Sequence, residues 1–400
     1  MNKIKVAVFF GGKSFEHDVS ILTGIQVIQA IDITKYEPFP VYVDSDGYWW
    51  TGDALLDTRN YPISDALKSK LLNVSLQAGE ATIRPSLKII NAPLFGKKRI
   101  PFDIAFLAFH GAEGESGAFQ GLFETLNVAY TGADVISSSV YMSKIATKQI
   151  CKSLNINVLS ETIISKPVNE EFIDIESLLK EVKVSYPLCA KPANLGSSVG
   201  VCKVSNKEEL SSALLDIFKM DNTAILEPFV ENLIEYNIAV MKNLDGEIIT
   251  SVIESPNNEN TFLSFKDKYL SENGAKKKGL NISAMPSDEL IESRRKFQPT
   301  LTKKQEDFIT QSAKSLFDFM GATGNPRIDF LSNKKTGEIW LNEVNPIPGA
   351  FAFYLWQNST HHISYTELID IIIENGFKNY DKRQYEINLK TSDSSIFKKK

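Results

Sequence analysis

Residues 325–354, NPRIDFLSNKKTGEIWLNEVNPIPGAFAFY, decide how the rest of the chain is read. The runs RIDFL and EIWLNEV are rich in β-branched and aromatic residues and flank a polar turn, NKKTGE, so the stretch predicts a hairpin. Asp329, Glu343 and Asn345 put oxygen donors inside these apolar strands, where an unpaired carboxylate is costly to bury. Three hard oxygen donors on adjacent strands suit Mg²⁺, which takes one or two carboxylates and completes its shell with phosphate oxygens. Arg327 stands two residues before Asp329 and so shares its face of the strand, where it could stabilise an anion beside a metal. The same residues are also compatible with a pair of strand-end salt bridges.

Composition sets the frame for that hairpin. A chain of 400 residues is long for one core and predicts two or three domains. Its 43% hydrophobic and 23% charged residues are those of an ordinary globular protein. A net charge of −5 gives no reason to expect nucleic acid or a membrane surface as partner. The cysteines, Cys151, Cys189 and Cys202, are odd in number and lack C-x-x-C spacing, against both a disulfide framework and a structural zinc site. The N-terminus, MNKIKVAVFFGG, enters a strand directly, and its apolar run is too short for a signal peptide or membrane helix. A cytoplasmic enzyme is expected.

The N-terminal third has α/β character. IKVAVFF (4–10) is a continuous apolar run, the pattern of a parallel strand covered on both faces. It ends in Gly11-Gly12-Lys13-Ser14, and apolar residues then recur at helical spacing through SFEHDVSILTGIQVIQAI. Strand, glycine-rich turn and helix start together predict a ligand at the strand's carboxyl end. GGKS is not a P-loop, because the glycine that motif needs five positions before Gly12 is Ala7, inside the strand. Glu16 lies on this turn, as a ligand contact or as a first-turn carboxylate satisfying free amides. EPFPVYV (37–43) and FDIAFLAF (102–109) are further strands. The second runs into His110-Gly111 and a glycine-rich loop, which favours ligand contact for His110. An open parallel-sheet domain is expected over residues 1–133.

A second segment is expected over 134–224 and a third over 225–400. The helical stretch 134–155 carries Lys144 and Lys148 at i, i+4 on one face, a spacing that singles out neither. YPLCAKPANLGSSVGVCKV reads as strand, small-residue loop, strand. Gly196, Ser197, Ser198 and Gly200 let backbone amides and hydroxyls approach phosphate, and Lys191 adds charge. A flexible hairpin tip would leave that lysine unexplained. In AILEPFVENLIEYNIAVM, Glu227 and Glu235 interrupt apolar runs and could bond an adenine amino group and a ribose diol. The polar span 257–300 predicts a functional or disordered loop. Lys266, Lys268 and Lys276–Lys278 concentrate charge there, and Tyr269 beside Lys268 suits a lid over phosphates. TKKQEDFITQSAKSLFDFMG predicts an amphipathic helix, and the lysine-rich tail is charged.

The stretches VFFGGKSFEHDVS, FHGAEGESGAFQGLFE, KPANLGSSVGV, KYLS, RIDF and LNEVNPIPG occur in the order found in the D-alanine–D-alanine ligase family of the ATP-grasp superfamily, which the chain resembles over roughly residues 4–375. The resemblance implies a three-domain ATP-grasp architecture, α/β with an α+β ATP-binding part, and ATP held between the central and C-terminal domains. It also implies a two-step reaction in which a carboxylate is phosphorylated and an amine then displaces phosphate. Glu16 would anchor the first substrate's ammonium in a hydrogen-bonded set with Ser197 and Tyr269, and His110 would contact that substrate. Lys148, Lys191 and Lys268, with Ser198, match the phosphate-contacting residues. Glu227, Phe229 and Val230 match the adenine-binding connector, and Glu235 the ribose carboxylate. Asp329, Glu343 and Asn345 match ligands of two Mg²⁺ ions, a site Mn²⁺ could also fill. Arg327 with the Gly349 amide resembles an oxyanion hole. Phosphoryl transfer depends mainly on such orientation and charge neutralisation, and the acyl phosphate must be kept from water.

Beyond Pro348-Gly349 the family's small hydroxyl residues give way to Ala350-Phe351-Ala352-Phe353-Tyr354-Leu355-Trp356. Only Tyr354 still offers a hydroxyl to an acceptor. The expectation is therefore an ATP-dependent carboxylate–amine ligase joining two D-alanines for peptidoglycan precursor synthesis, working as a homodimer. The alternatives are a bulkier or hydroxy-acid acceptor such as D-lactate, and a non-catalytic nucleotide-binding regulator.

Overall fold

The structure is a computed structural model that describes residues 3–78, 84–90, 92, 95–167, 185–196, 198–256 and 295–391, with side chains of the last helix through 385. Ser197, Lys268, Tyr269 and nearly all of the expected lid lie outside the described residues. Among the described residues no helix is long and apolar enough to cross a membrane.

The first sheet has seven strands: β1 (Ile4–Gly11), β2 (Tyr36–Val43), β3 (Trp49–Thr51), β4 (Leu72–Gln77), β5 (Ser86–Ile89), β6 (Arg99–Pro101) and β7 (Ile104–Leu107). They run in the order β6-β5-β4-β3-β2-β1-β7. The expected parallel sheet is parallel only across β2, β1 and β7; β3 to β6 extend it as an antiparallel meander. A parallel step needs a crossover long enough to return the chain to the same end. Between β1 and β2 helix α1 (His17–Ala30) provides it, whereas the turn of residues 44–48 can only reverse direction.

The second sheet holds β8 (Thr162–Ser165), β9 (Leu188–Pro192), β10 (Cys202–Val204) and β11 (Thr223–Pro228), ordered β10-β9-β11-β8. It runs on through Pro228, past residue 224. The third holds β12 (Leu233–Lys242), β13 (Ile248–Thr250), β14 (Glu254–Pro256), β15 (Arg295–Phe297), β16 (Arg327–Asn333) and β17 (Ile339–Asn345), in the order β15-β14-β12-β16-β17 with β13 beside β12. The helices that matter for the site are α2 (Ala118–Thr125), α3 (Val135–Met142), α4 (Lys144–Ser153), α5 (Lys207–Ile217), α6 (Lys303–Phe319), α7 (Phe353–Gln357) and α8 (Tyr365–Thr391). The single helix expected over 134–155 breaks at Ser143, whose extended backbone ends α3 and whose hydroxyl accepts the Ala146 amide as N-cap of α4.

Three apolar clusters among the described residues show how these parts join. The second sheet packs on α5 through Leu210, Leu214 and Ile217. One face of the third sheet, with Ile238, Ile328, Phe330 and Leu341, packs on Ile309, Leu316 and Phe317 of α6. The first sheet shares its core with Phe351–Trp356 and with Leu368, Ile369 and Ile372 of α8. That helix also fastens the N-terminal sheet from outside: Tyr36 and Lys35 bond Asp370, and Arg383 lies over the Tyr130 ring.

Candidate active site

On the side expected to take the nucleotide stands a buried charge triad. Lys148 of α4 and Lys191 of β9 approach the two oxygens of Glu227 at 2.6 and 2.7 Å, with all three side chains buried. Lys148 also donates to the Leu159 carbonyl and Lys191 to Asn342 Oδ1. Burial alone would raise the Glu227 carboxyl, but the two ammonium groups hold it below the usual range. Burial likewise opposes both lysines; it depresses Lys148, whereas for Lys191 the Glu227 carboxylate wins and the pKa is raised. The amide of Phe229 donates to the Pro187 carbonyl, and Lys203 lies 4.5 Å from the Phe229 ring. Val230 follows in the connector, and Glu235 stands at the start of β12 opposite Leu331. In the loop between β9 and β10, Ser198 (φ 58°) and Gly200 (φ 71°) take left-handed conformations that turn the backbone back on itself.

One turn of α4 separates Lys148 from Lys144, the residue that spacing alone could not choose. Lys144 is buried, bonds the Leu195 carbonyl at 2.5 Å and pairs with Glu343 Oε2 at 3.1 Å. The shared helix face is therefore not a solvated one: its two lysines serve two different carboxylates.

The hairpin supplies the rest of this region through a bulge. Asp329 pairs with Glu343 and Phe330 with Leu341, leaving Asn342 as the extra residue. A bulge re-aims the strand that carries it. Strict alternation would send Glu343 and Asn345 into the core with Leu341; instead Asn342, Glu343 and Asn345 are all half-buried on the other face while Leu341 and Val344 stay buried. There Arg327 grips Asp329 in a two-pronged pair, both contacts at 2.7 Å, and Asn345 Nδ2 donates to Asp329 at 3.0 Å. The salt-bridge reading and the ion-cluster reading of the hairpin thus coexist. Asp329, Glu343 and the Asn345 amide oxygen are the groups that could hold a metal ion.

The side expected to take the first substrate comes from the N-terminal part of the chain. Glu16 sits at the start of α1, its amide bonded to Ser14 Oγ at 3.0 Å. A Cβ added at Gly111 or Gly196 would crowd the Glu16 carboxylate, so both glycines let backbone close around it. His110 is buried and shares a 2.8 Å contact with Thr23 Oγ1; burial lowers its pKa to about 4, so the imidazole is neutral at pH 7. Glu115, which the sequence did not single out, is equally buried. Its two oxygens accept the Gly111 amide at 2.5 Å and the Ile347 amide at 2.9 Å. That joins the His110 loop to the exit of the hairpin. Burial first, then the charge of Glu16, raises its carboxyl to about 8. Nothing in HGAEGESG separates Glu115 from Glu113; only the fold does. Glu16, Glu115, Lys144, Gly196, Glu343 and Asn345 line one small cavity where the three sheets' segments meet.

Past Gly349, Ala350, Phe351 and Ala352 are consecutively left-handed (φ 48°, 55° and 48°), a conformation that costs non-glycine residues roughly 1–2 kcal/mol each. Asn325 holds the turn, donating to the Phe351 carbonyl at 2.6 Å and accepting Trp356 Nε1 at 2.9 Å. The turn sends the aromatic run into the core: Phe351 meets Phe106 edge-on, and Phe353 stacks on Tyr365. Tyr354 is engaged by a charged group, Arg295, whose Cζ is 4.0 Å from its ring centre.

Known proteins resemble the chain along nearly its whole length. The family model for the D-Ala D-Ala ligase N-terminus matches residues 5–133, and that for the C-terminus residues 150–374. The D-alanine–D-alanine ligase of Thermosipho melanesiensis is 34% identical over 391 residues, 96% of this chain and 97% of its own. That of Thermosipho africanus is 35% identical over 399 residues, 98% of each chain. Among solved structures, the D-alanine–D-alanine ligase from Coxiella burnetii aligns with a TM-score of 0.75 at 24% identity, covering 97% of this chain and 98% of its own. The Helicobacter pylori ligase aligns at 0.70 and 25%, covering 93% and 99%. With both family models matched in order and relatives aligned end to end, the chain belongs to the D-alanine–D-alanine ligase family, ATP-dependent enzymes that form a C–N bond.

Proposed function

We propose that this protein joins two D-alanines with ATP, in the presence of Mg²⁺, to supply a peptidoglycan precursor. The observation that carries the proposal is the single cavity in which Glu16 and Glu115 of the N-terminal domain, Lys144 and Gly196 of the central one, and Glu343 and Asn345 of the hairpin meet. Groups for an ammonium, a phosphate and a metal are thereby within one reaction's reach. Joining the donor's carboxylate to the γ-phosphoryl group forms a C–O–P bond and releases ADP. The acceptor's amine then attacks the acyl carbon, loses a proton, and phosphate leaves as the amide forms.

Each residue has a part that its surroundings favour. Glu16 holds the donor's ammonium, and neutral His110, fixed by Thr23, contacts the donor without adding charge. Lys144 neutralises the transferring phosphoryl group, and Arg327 stabilises charge developing on the acyl oxygen. Lys191 and Lys148 hold Glu227 in place at the nucleotide end, where Phe229, Val230 and Glu235 carry the adenine and ribose. The donor set fits Mg²⁺: Asp329 and Glu343 are paired cross-strand neighbours, Asn345 adds a neutral oxygen, and phosphate oxygens complete such a shell. Bound there, the ion would neutralise phosphate charge. The aromatic run lies in the core, so it gives no ground for a bulkier acceptor. By the family resemblance, a cytoplasmic homodimer is the working form.

Phosphate release with ATP, Mg²⁺ and D-alanine tests the proposal. D-alanine should stimulate release, and Glu343→Gln should abolish it while leaving the far-UV spectrum unchanged. ATP binding without D-alanine-stimulated turnover would refute the proposal.

A further inference from the structure

The face of the third sheet opposite α6 carries one continuous cross-strand rung. Phe297 pairs with Glu254, Glu254 with Asn237, Asn237 with Asp329, and Asp329 with Glu343. Direct cross-strand neighbours project to the same side, and strands stand roughly 4.8 Å apart. Asp329 and Glu343 mark the acyl and phosphate end of this row, with Arg327 and Lys144 beside them. The other end lies two strands away, roughly 10 Å at the backbone, and it too is polar.

Glu254 is wholly buried there and receives Arg295 Nη1 on both oxygens, at 2.6 and 2.9 Å. The Tyr354 ring covers one face of the guanidinium. These contacts fix the plane of the fork, yet they use one of its nitrogens. Among the described residues Nε and Nη2 have no hydrogen-bond partner, and the side chain is 27% exposed. A guanidinium presents five donors suited to a carboxylate. Merely as a strap between β14 and β15, a buried ion pair would gain little over apolar packing.

Between the two ends stands Asn237. Its Nδ2 donates to Glu254 Oε1 at 3.1 Å, which fixes the orientation of the amide. Its Oδ1 is buried without a hydrogen-bond partner among the described residues, an omission that a native interior rarely tolerates without a ligand or water to fill it.

We propose that Arg295, held by Glu254 and Tyr354, binds the α-carboxylate of the acceptor, and that Asn237 Oδ1 receives an N–H of its amine. The order along the rung is then acceptor carboxylate, acceptor amine, acyl group and phosphate. An α-amino acid spans the first two, so the acceptor is a short amino acid with a free carboxylate. This rests on the ligase reading above.

The test compares D-alanine with D-alaninamide as acceptor. The wild type should strongly prefer D-alanine. In Arg295→Gln the KM for the acceptor should rise roughly 10- to 100-fold, the range for a lost charged hydrogen bond, and the preference over the amide should collapse toward one. Exchange of the ATP β,γ-bridge oxygen, which reports donor phosphorylation, should persist. A merely structural role would lower both partial reactions and keep the preference. Arg295→Lys retains the charge opposite Glu254 and should fold even where the glutamine variant does not; it should show a smaller rise in acceptor KM. If the wild type ligates D-alanine but both variants retain its preference over the amide, the Arg295 assignment is wrong and the ligase reading stands. If the wild type itself shows no D-alanine-stimulated turnover, the ligase reading fails first.

Discussion

Replacing Glu227 by glutamine should be among the costliest single changes in the central part of the chain. One carboxylate answers two ammonium groups at 2.6 and 2.7 Å, with the three side chains 1–5% exposed. Removing one partner of a buried pair costs about 3–5 kcal/mol, because the other charge stays buried and uncompensated. Here Lys148 keeps the Leu159 carbonyl and Lys191 keeps Asn342, so a loss near the lower end, about 3 kcal/mol, is expected at pH 7. The sign of its pH dependence follows from Lys148. Burial already depresses this lysine, and without Glu227 its folded pKa falls further below the unfolded value. Between those two values the unfolded chain binds more protons than the folded one, so stability rises with pH. The deficit of the variant should therefore narrow between pH 7 and 9.5. Urea unfolding at both pH values, with m checked for constancy, measures it. A loss under about 1 kcal/mol, the range of surface pairs, or a deficit independent of pH, would refute the buried triad.

Glu115 should make the protein less stable as pH rises. Its folded carboxyl, at about 8 against an ordinary 4.5, binds protons that the unfolded chain has released, so stability falls across that window by up to about 1.4 kcal/mol per pH unit. Urea midpoints from pH 5 to 8 should show the slope, and Glu115→Gln should flatten it. Asn325→Ala should strand the Phe351 carbonyl and the Trp356 indole N–H, costing about 1–3 kcal/mol for each buried group. Thermal unfolding should register the loss, and the acceptor KM should rise while the ATP KM holds.

How far the site was legible follows from how each residue is encoded. The hairpin, the β9–β10 loop and the glycine-rich loop after His110 carry period and composition signals, and Glu343, Gly196 and Glu115 from these three stretches line one cavity. The bulge at Asn342 carries no such signal. Strict alternation would have buried Glu343 and Asn345, and only the observed register returns them to the polar face. Lys144 and Lys148 share a helix face, so periodicity treats them alike, while their partners lie on different sheets. Arg295 was hidden by its setting, in a polar span that reads as lid, although it belongs to a paired strand.

The aromatic run past Gly349 shows why a local departure in sequence need not alter the site. A left-handed turn is ordinarily announced by glycine or asparagine, and Ala350-Phe351-Ala352 announces nothing. The three residues together store roughly 3–6 kcal/mol of backbone strain. Such strain persists only where the surroundings over-determine it, and here three parts of the chain do so. Asn325 ties the turn to the start of the hairpin, and Phe106 of the first sheet and Tyr365 of the last helix receive its rings. Fully burying a side chain of this size contributes about 1.5–3 kcal/mol, so two or three of Phe351, Phe353, Leu355 and Trp356, all buried, offset the strain. The same packing that sustains the turn leaves Tyr354 as the member of the run that meets Arg295. The bulk past Gly349 is thus a joint between the N-terminal sheet and the hairpin of β16 and β17.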